Sequence, residues 1–166
     1  LIIPDFRSFS TIVTSVFESV RSNMSGAVAD YIPQLARVNP EKYAISICTV
    51  DGQRLNIGDY CDPYCVQSTC KPINYGIALD VLGEDKTHKH VGREPSGRGF
   101  NELTLNKDGL PHNPMINAGA IMTSALIRSD LDVSDRFDYV LDKWQSLSGD
   151  VRPGFNNAVY LSEKHT

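Results

Sequence analysis

The sequence predicts a mixed α/β (α+β) domain in which helices pack on an antiparallel sheet, and three observations carry that expectation. Segment 43–50, Tyr-Ala-Ile-Ser-Ile-Cys-Thr-Val, alternates in the manner of a strand, and Asp51-Gly52 joins it to a second extended run at 53–58. Five other segments read as helices, most of them with apolar residues at helical spacing. The 166 residues, 41% of them apolar, suffice to build the core of an ordinary domain.

In chain order, Ile12, Val13, Val16, Phe17 and Val20 mark an amphipathic helix over 9–23, and a second helical segment is expected at 27–38 with Pro33 in its first turn. Tyr31 then falls near a helix start. The hairpin follows, its turn at Asp51 and Gly52, residues that both accept positive φ. A turn-rich stretch through Asp62-Pro63 leads to a buried helix at 67–82 that starts near Ser68, with Pro72 in the turn where a missing N–H costs nothing. Segment 92–114 holds several glycines and prolines with little periodicity; a loop of that length in a compact domain is usually functional, and it is expected to form a lid. A small-residue helix is expected at 117–127 with Asn117 as its N-cap, another at 134–147 capped by Ser134, and an irregular tail at 149–166. Residues 1–26 form a helical lead-in and 27–166 the body.

The net charge of −4, from 16 basic and 20 acidic residues without a basic stripe, argues against nucleic-acid and membrane-surface partners. No apolar run reaches the ~18 residues of a membrane span, and Leu1-Ile2-Ile3-Pro4 is too short for a signal-peptide core, so any targeting segment is expected to lie upstream. Cys48, Cys61, Cys65 and Cys70 fit neither zinc nor disulfide spacings and are expected as reduced thiols. His88 and His90 form an H-x-H pair without further ligands nearby, which reads as a solvated loop. Arg93 and Arg98 flank Glu94 in the glycine-rich loop, where ordinary loop charge is the default and anion binding the alternative.

The chemistry points to Gln67-Ser68-Thr69-Cys70-Lys71-Pro72. On a helix, Ser68 and Lys71 share one face. A serine hydroxyl becomes a nucleophile when a base removes its proton, and a lysine serves if its ammonium is made less stable than in water. The start of a helix disfavours that ammonium and offers N–H groups to an oxyanion, with the Ser68 N–H the first candidate. An S-x-x-K spacing is common by chance; its place at the start of an apolar helix, as in penicillin-binding proteins and β-lactamases, gives it weight.

Five ordered blocks extend the pattern: Ala29-Asp-Tyr-Ile-Pro-Gln-Leu-Ala36, Cys48-Thr-Val-Asp-Gly-Gln-Arg54, Gln67 to Pro72, Gly92-Arg-Glu-Pro-Ser-Gly97 and Pro111-His-Asn-Pro-Met-Ile-Asn-Ala-Gly-Ala120. Together they resemble the glutaminase family, and most of all its phosphate-activated kidney-type members. The resemblance covers nearly the whole chain and implies a β-lactamase/penicillin-binding-protein-like serine hydrolase fold, truncated here. It implies hydrolysis of L-glutamine to L-glutamate and ammonia, with Ser68 as nucleophile, Lys71 as general base and Tyr31 lining the same cleft. Asn117 and Gln67 are implied as substrate contacts and Glu163 as the partner of the substrate's α-ammonium. It further implies no cofactor, inorganic phosphate as an activator, a homo-oligomer of the tetrameric kind and a mitochondrial location.

The family pattern continues past Glu163 into an Arg-Asn pair, two tyrosines and further strands, so the 166-residue piece is not expected to turn over substrate alone. Leu103-Thr104-Leu105 places a threonine where the kidney-type pattern has an aromatic, and lid behaviour is not carried over. Two alternatives stand beside the amidohydrolase: another acyl-serine transferase of the same fold, and a non-catalytic assembly module.

Overall fold

A computed structural model describes residues 2–99, 101–149 and 151–165. Of these, 2–64 with 155–165 form one compact unit and the described residues between 65 and 154 the other.

The first unit opens with helix α1 (Phe6–Val20). It begins three residues before the expected start because the Asp5 carboxylate accepts the Ser8 N–H at 3.0 Å and caps the first turn. Its many hydroxyls do not break it, since those of Ser10, Thr11 and Thr14 donate back to carbonyls four residues earlier. Phe17 faces inward and stacks on Tyr43 with ring centroids 4.7 Å apart. The expected helix at 27–38 shrinks to α2 (Pro33–Ala36). Pro33 is the cause: it holds Ile32 extended at φ −129°, ψ 145° and confines the helix to the residues after it.

Strands β1 (Ala44–Cys48) and β2 (Arg54–Gly58) pair antiparallel, with Ser46 opposite Asn56. The alternation read from the sequence places Ile45, Ile47, Leu55 and Ile57 on the half-buried face. The turn is longer than two residues. The Thr49 N–H donates to the Gln53 carbonyl and the Gly52 N–H to that of Thr49, so the loop is a tight turn followed by a left-handed glycine at φ +89°. Asp51 does not adopt the positive φ that it could accept. The Gln53 carboxamide reaches back to both backbone polar groups of Ile3 and ties the lead-in to the turn. At the end of β2, Gly58 has φ +74°, and a Cβ there would stand 2.2 Å from the Tyr43 carbonyl oxygen.

The tail is not irregular. Asn156 accepts the Val159 N–H at 3.1 Å and starts α7 (Asn157–Glu163), a cap signal that went unread for want of an apolar stripe behind it.

The second unit begins with a 3-10 turn at Gln67–Thr69 that runs into α3 (Cys70–Leu82), which ends at Gly83 with φ +79°. After the short α4 (Glu84–Thr87) comes the glycine-rich segment, then α5 (Asn117–Leu126) and α6 (Val133–Leu147). Asp132, not Ser134, sits at the cap position of α6, and no side chain caps that helix. Ile77, Ala78 and Ile127 make the core, with Val81, Tyr139, Val140 and Trp144 packed on it. The Trp144 indole donates to Asn74 of α3 at 2.9 Å, which satisfies its polar edge. Arg136 of α6 donates to the carbonyls of Ser124, Ala125 and Ile127, filling acceptors that the end of α5 leaves open.

Candidate active site

Ser68 lies where the sequence places it, in the turn that leads into α3, and its side chain is exposed. The residue before it, Gln67, adopts φ +45°, a left-handed backbone uncommon for a residue with a Cβ. Lys71 is half-buried in the first turn of α3. Its Nζ donates to Asn117 Oδ1 at 2.7 Å across the α3–α5 contact.

Asn117 is brought there by its neighbours. It is the first residue of α5 and not the cap, a position held by Ile116 in extended backbone. The capping task passes to Asn113, whose Oδ1 accepts the N–H groups of Met115 at 2.9 Å and Ile116 at 3.2 Å. Asn113 Nδ2 donates to the Glu94 carbonyl at 2.8 Å, which fastens the start of α5 to the glycine-rich segment. The Asn113 carbonyl also presses on Gly119, where an added Cβ would lie 1.8 Å away, so glycine is what lets the loop seat on the helix. Freed from capping, the Asn117 carboxamide turns its oxygen to Lys71. The supporting role of Asn113 escaped the sequence reading, although an Asn-Pro pair just before a helix is itself a turn signal.

In the first unit, the Tyr31 hydroxyl donates to Glu163 Oε1 at 2.6 Å. That hydrogen bond, with partial burial and the charge of the carboxylate adding to it, pushes the Tyr31 phenol up to about 12. Glu163, in a tail expected to be irregular, instead closes α7 and accepts from this phenol.

Burial pushes the Cys70 thiol up, with the charge of Lys71 opposing only part of that effect. The cysteine beside Ser68 therefore stays a thiol at neutral pH and does not compete as a nucleophile. The cysteines at 48, 61 and 65 are exposed and unpaired.

His88 is not a solvated loop residue. Its Nδ1 lies 3.0 Å from the Val91 carbonyl and its Nε2 2.8 Å from the Tyr75 hydroxyl. A carbonyl only accepts, so Nδ1 carries a proton, and the ring bridges the Val91 carbonyl and the Tyr75 hydroxyl. Arg93 pairs with Glu84 at 2.6 Å. Among the described residues no three His, Cys, Asp or Glu side chains cluster as a metal would need, and no helix is long and apolar enough to cross a membrane.

The Glutaminase family profile matches residues 26–166. The chain is 47% identical over 165 residues to the mitochondrial liver isoform of glutaminase from Mus musculus, covering 99% of this chain and 27% of that protein. It is 47% identical over 166 residues to putative glutaminase 2 of Caenorhabditis elegans, again spanning 27% of the relative. Among solved structures, the probable glutaminase YbaS superposes with a TM-score of 0.86 at 31% identity over 95% of this chain and 51% of that one. The fold is thus that of the β-lactamase-like serine hydrolases, with a small antiparallel sheet and packed helices. The chain belongs to the glutaminase family. It spans between about a quarter and a half of the length of these relatives.

Proposed function

We propose that this chain carries the nucleophile-bearing part of a glutaminase that hydrolyses the side-chain amide of L-glutamine through an ester on Ser68. Lys71 takes the Ser68 proton as Oγ attacks the amide carbon, and the resulting oxyanion is met by the Ser68 N–H. When the tetrahedral intermediate collapses, that proton passes to the amide nitrogen, which leaves as ammonia. Water, deprotonated by the same amine, then cleaves the γ-glutamyl ester; glutamate departs and Ser68 regains its proton.

The observation that supports this most is the Lys71–Asn117 hydrogen bond. An amide oxygen accepts from an amine or an ammonium alike, so it pins the nitrogen without fixing it as a cation, as a carboxylate would. The Asn117 oxygen being engaged, its NH2 is the group left to donate to substrate. Tyr31 and Glu163 are proposed as contacts for the α-amino end of glutamine, an acid and a hydroxyl being the chemistry that an ammonium selects. Gln67 is a further proposed contact. A homo-oligomer, activation by inorganic phosphate and a mitochondrial location are proposed from the family resemblance; the mouse relative is described as mitochondrial.

The test is ammonia release from L-glutamine by the chain extended to the length of its relatives, with and without Ser68→Ala. Ammonia release from the parent and loss of turnover by at least 10³-fold in the variant are expected, in line with removal of a covalent nucleophile. Unchanged turnover by Ser68→Ala would overturn the proposal.

A further inference from the structure

We propose that Gln67 acts through its backbone as the positioning residue for Ser68, a role that rests on Ser68 being the nucleophile but is separate from any contact its side chain makes. Two residues other than glycine have positive φ among those described, Gln67 at +45° and Arg128 at +46°. Arg128 directly follows the cap of α5, where a left-handed residue commonly ends a helix. Gln67 has no such explanation. Val66 before it is right-handed at φ −63°, ψ −30°, and the residues after it form the 3-10 turn and then α3. A single left-handed residue thus interrupts what would otherwise be a continuous right-handed run beginning at Val66.

Ser68 stands in the first turn, where backbone N–H groups are left open for want of an upstream helical carbonyl. Here the Thr69 N–H takes the Val66 carbonyl at 2.9 Å and the Cys70 N–H takes that of Gln67, while the Ser68 N–H has no acceptor among the described residues. The open N–H comes from the helix start; the left-handed Gln67 sets the orientation in which Ser68, its N–H and its side chain together, leaves the turn. Backbone strain of this kind persists where the surrounding structure enforces it, and it gathers at reacting groups.

The experiment compares Gln67→Gly, Gln67→Ala and Gln67→Val, all of which lack the carboxamide and differ in tolerance of a left-handed backbone. In the extended chain, kcat is expected to fall in the order Gly, Ala, Val, with a span of at least 30-fold and KM values within about threefold of one another. In the 166-residue chain, Gln67→Gly is expected to raise the melting temperature read from the fluorescence of Trp144, the only tryptophan. Equal kcat losses in all three variants, or a lowered melting temperature for Gln67→Gly, overturn the proposal. If Gln67→Val does not fold, the Gly–Ala pair decides: Gly at least threefold above Ala in kcat supports the proposal and equality overturns it. Ser68→Ala assayed in parallel separates the two levels. If it keeps turnover, the assignment of the nucleophile has failed; if it is inactive and the Gln67 variants are equal, only the backbone role has.

Discussion

The Tyr31 hydroxyl and the Glu163 carboxylate, 132 positions apart in sequence, meet in a 2.6 Å hydrogen bond in which the phenol donates. The bond requires the neutral phenol, and the Tyr31 pKa is accordingly raised to about 12 from the usual value near 10. The stabilisation is therefore complete below pH 10, where the phenol is neutral folded or unfolded, and is lost as pH rises from 10 through 12. An absorbance titration at 295 nm, subtracting Tyr31→Phe from the parent, should show a step near pH 12. Glu163→Gln should move that step downward, and a step already at pH 10 in the parent would refute the assignment.

Exchanging the Asn117 carboxamide for a carboxylate keeps the oxygen that Lys71 meets and gives the amine a counter-ion. Asn117→Asp is expected to lower kcat at neutral pH by about 10²–10⁴-fold, the typical worth of a general base. Steady-state kinetics on the extended chain checks this. A rise in KM with kcat unchanged would confine Asn117 to substrate binding.

Gly119 and Gly76 both lie within helices and should respond oppositely to alanine. A Cβ on Gly119 would sit 1.8 Å from the Asn113 carbonyl oxygen, whereas one on Gly76 meets nothing within 4 Å. Gly119→Ala should cost about 1–3 kcal/mol by overpacking. Gly76→Ala should gain about 0.5–1 kcal/mol through helix propensity. Urea unfolding followed by Trp144 fluorescence measures both.

Arg136 satisfies three carbonyls at the end of α5 through two of its guanidinium nitrogens. Arg136→Lys keeps the charge but not the fork, and Arg136→Ala removes both. Losses of about 1–2 kcal/mol are expected for each, lysine recovering little. Full recovery by lysine in the same urea assay would show that charge alone matters.

What the sequence made legible followed from periodicity and turn chemistry. The alternation at 43–50, the apolar stripe of α3 and the place of Ser68 at its entrance could be read because local preference and tertiary packing agree there. Pro33 was legible as a residue but underweighted as a stop, which stretched α2. The caps were the weakest part: Asn117 and Ser134 were read as caps from identity, while the structure uses Asn113 and an uncapped Asp132, because a cap is defined by geometry that several polar neighbours satisfy equally well in sequence. Lys71–Asn117 in the second unit and Tyr31–Glu163 in the first are long-range contacts that no spacing rule reports; the S-x-x-K spacing points to Lys71 and the family resemblance to the other three.

Asn113 has both polar atoms of its carboxamide engaged, and the glycine-rich segment inherits a boundary from that. Its root is stitched down at three points: the Gly92 N–H on the Pro111 carbonyl, the Glu94 N–H on that of His112, and the Glu94 carbonyl on Asn113 itself. The far edge is fastened as well, with Leu105 bridging Pro111 and Asn106 pairing with Leu110, so the start of α5 that carries Asn117 is anchored by both margins of the loop before it.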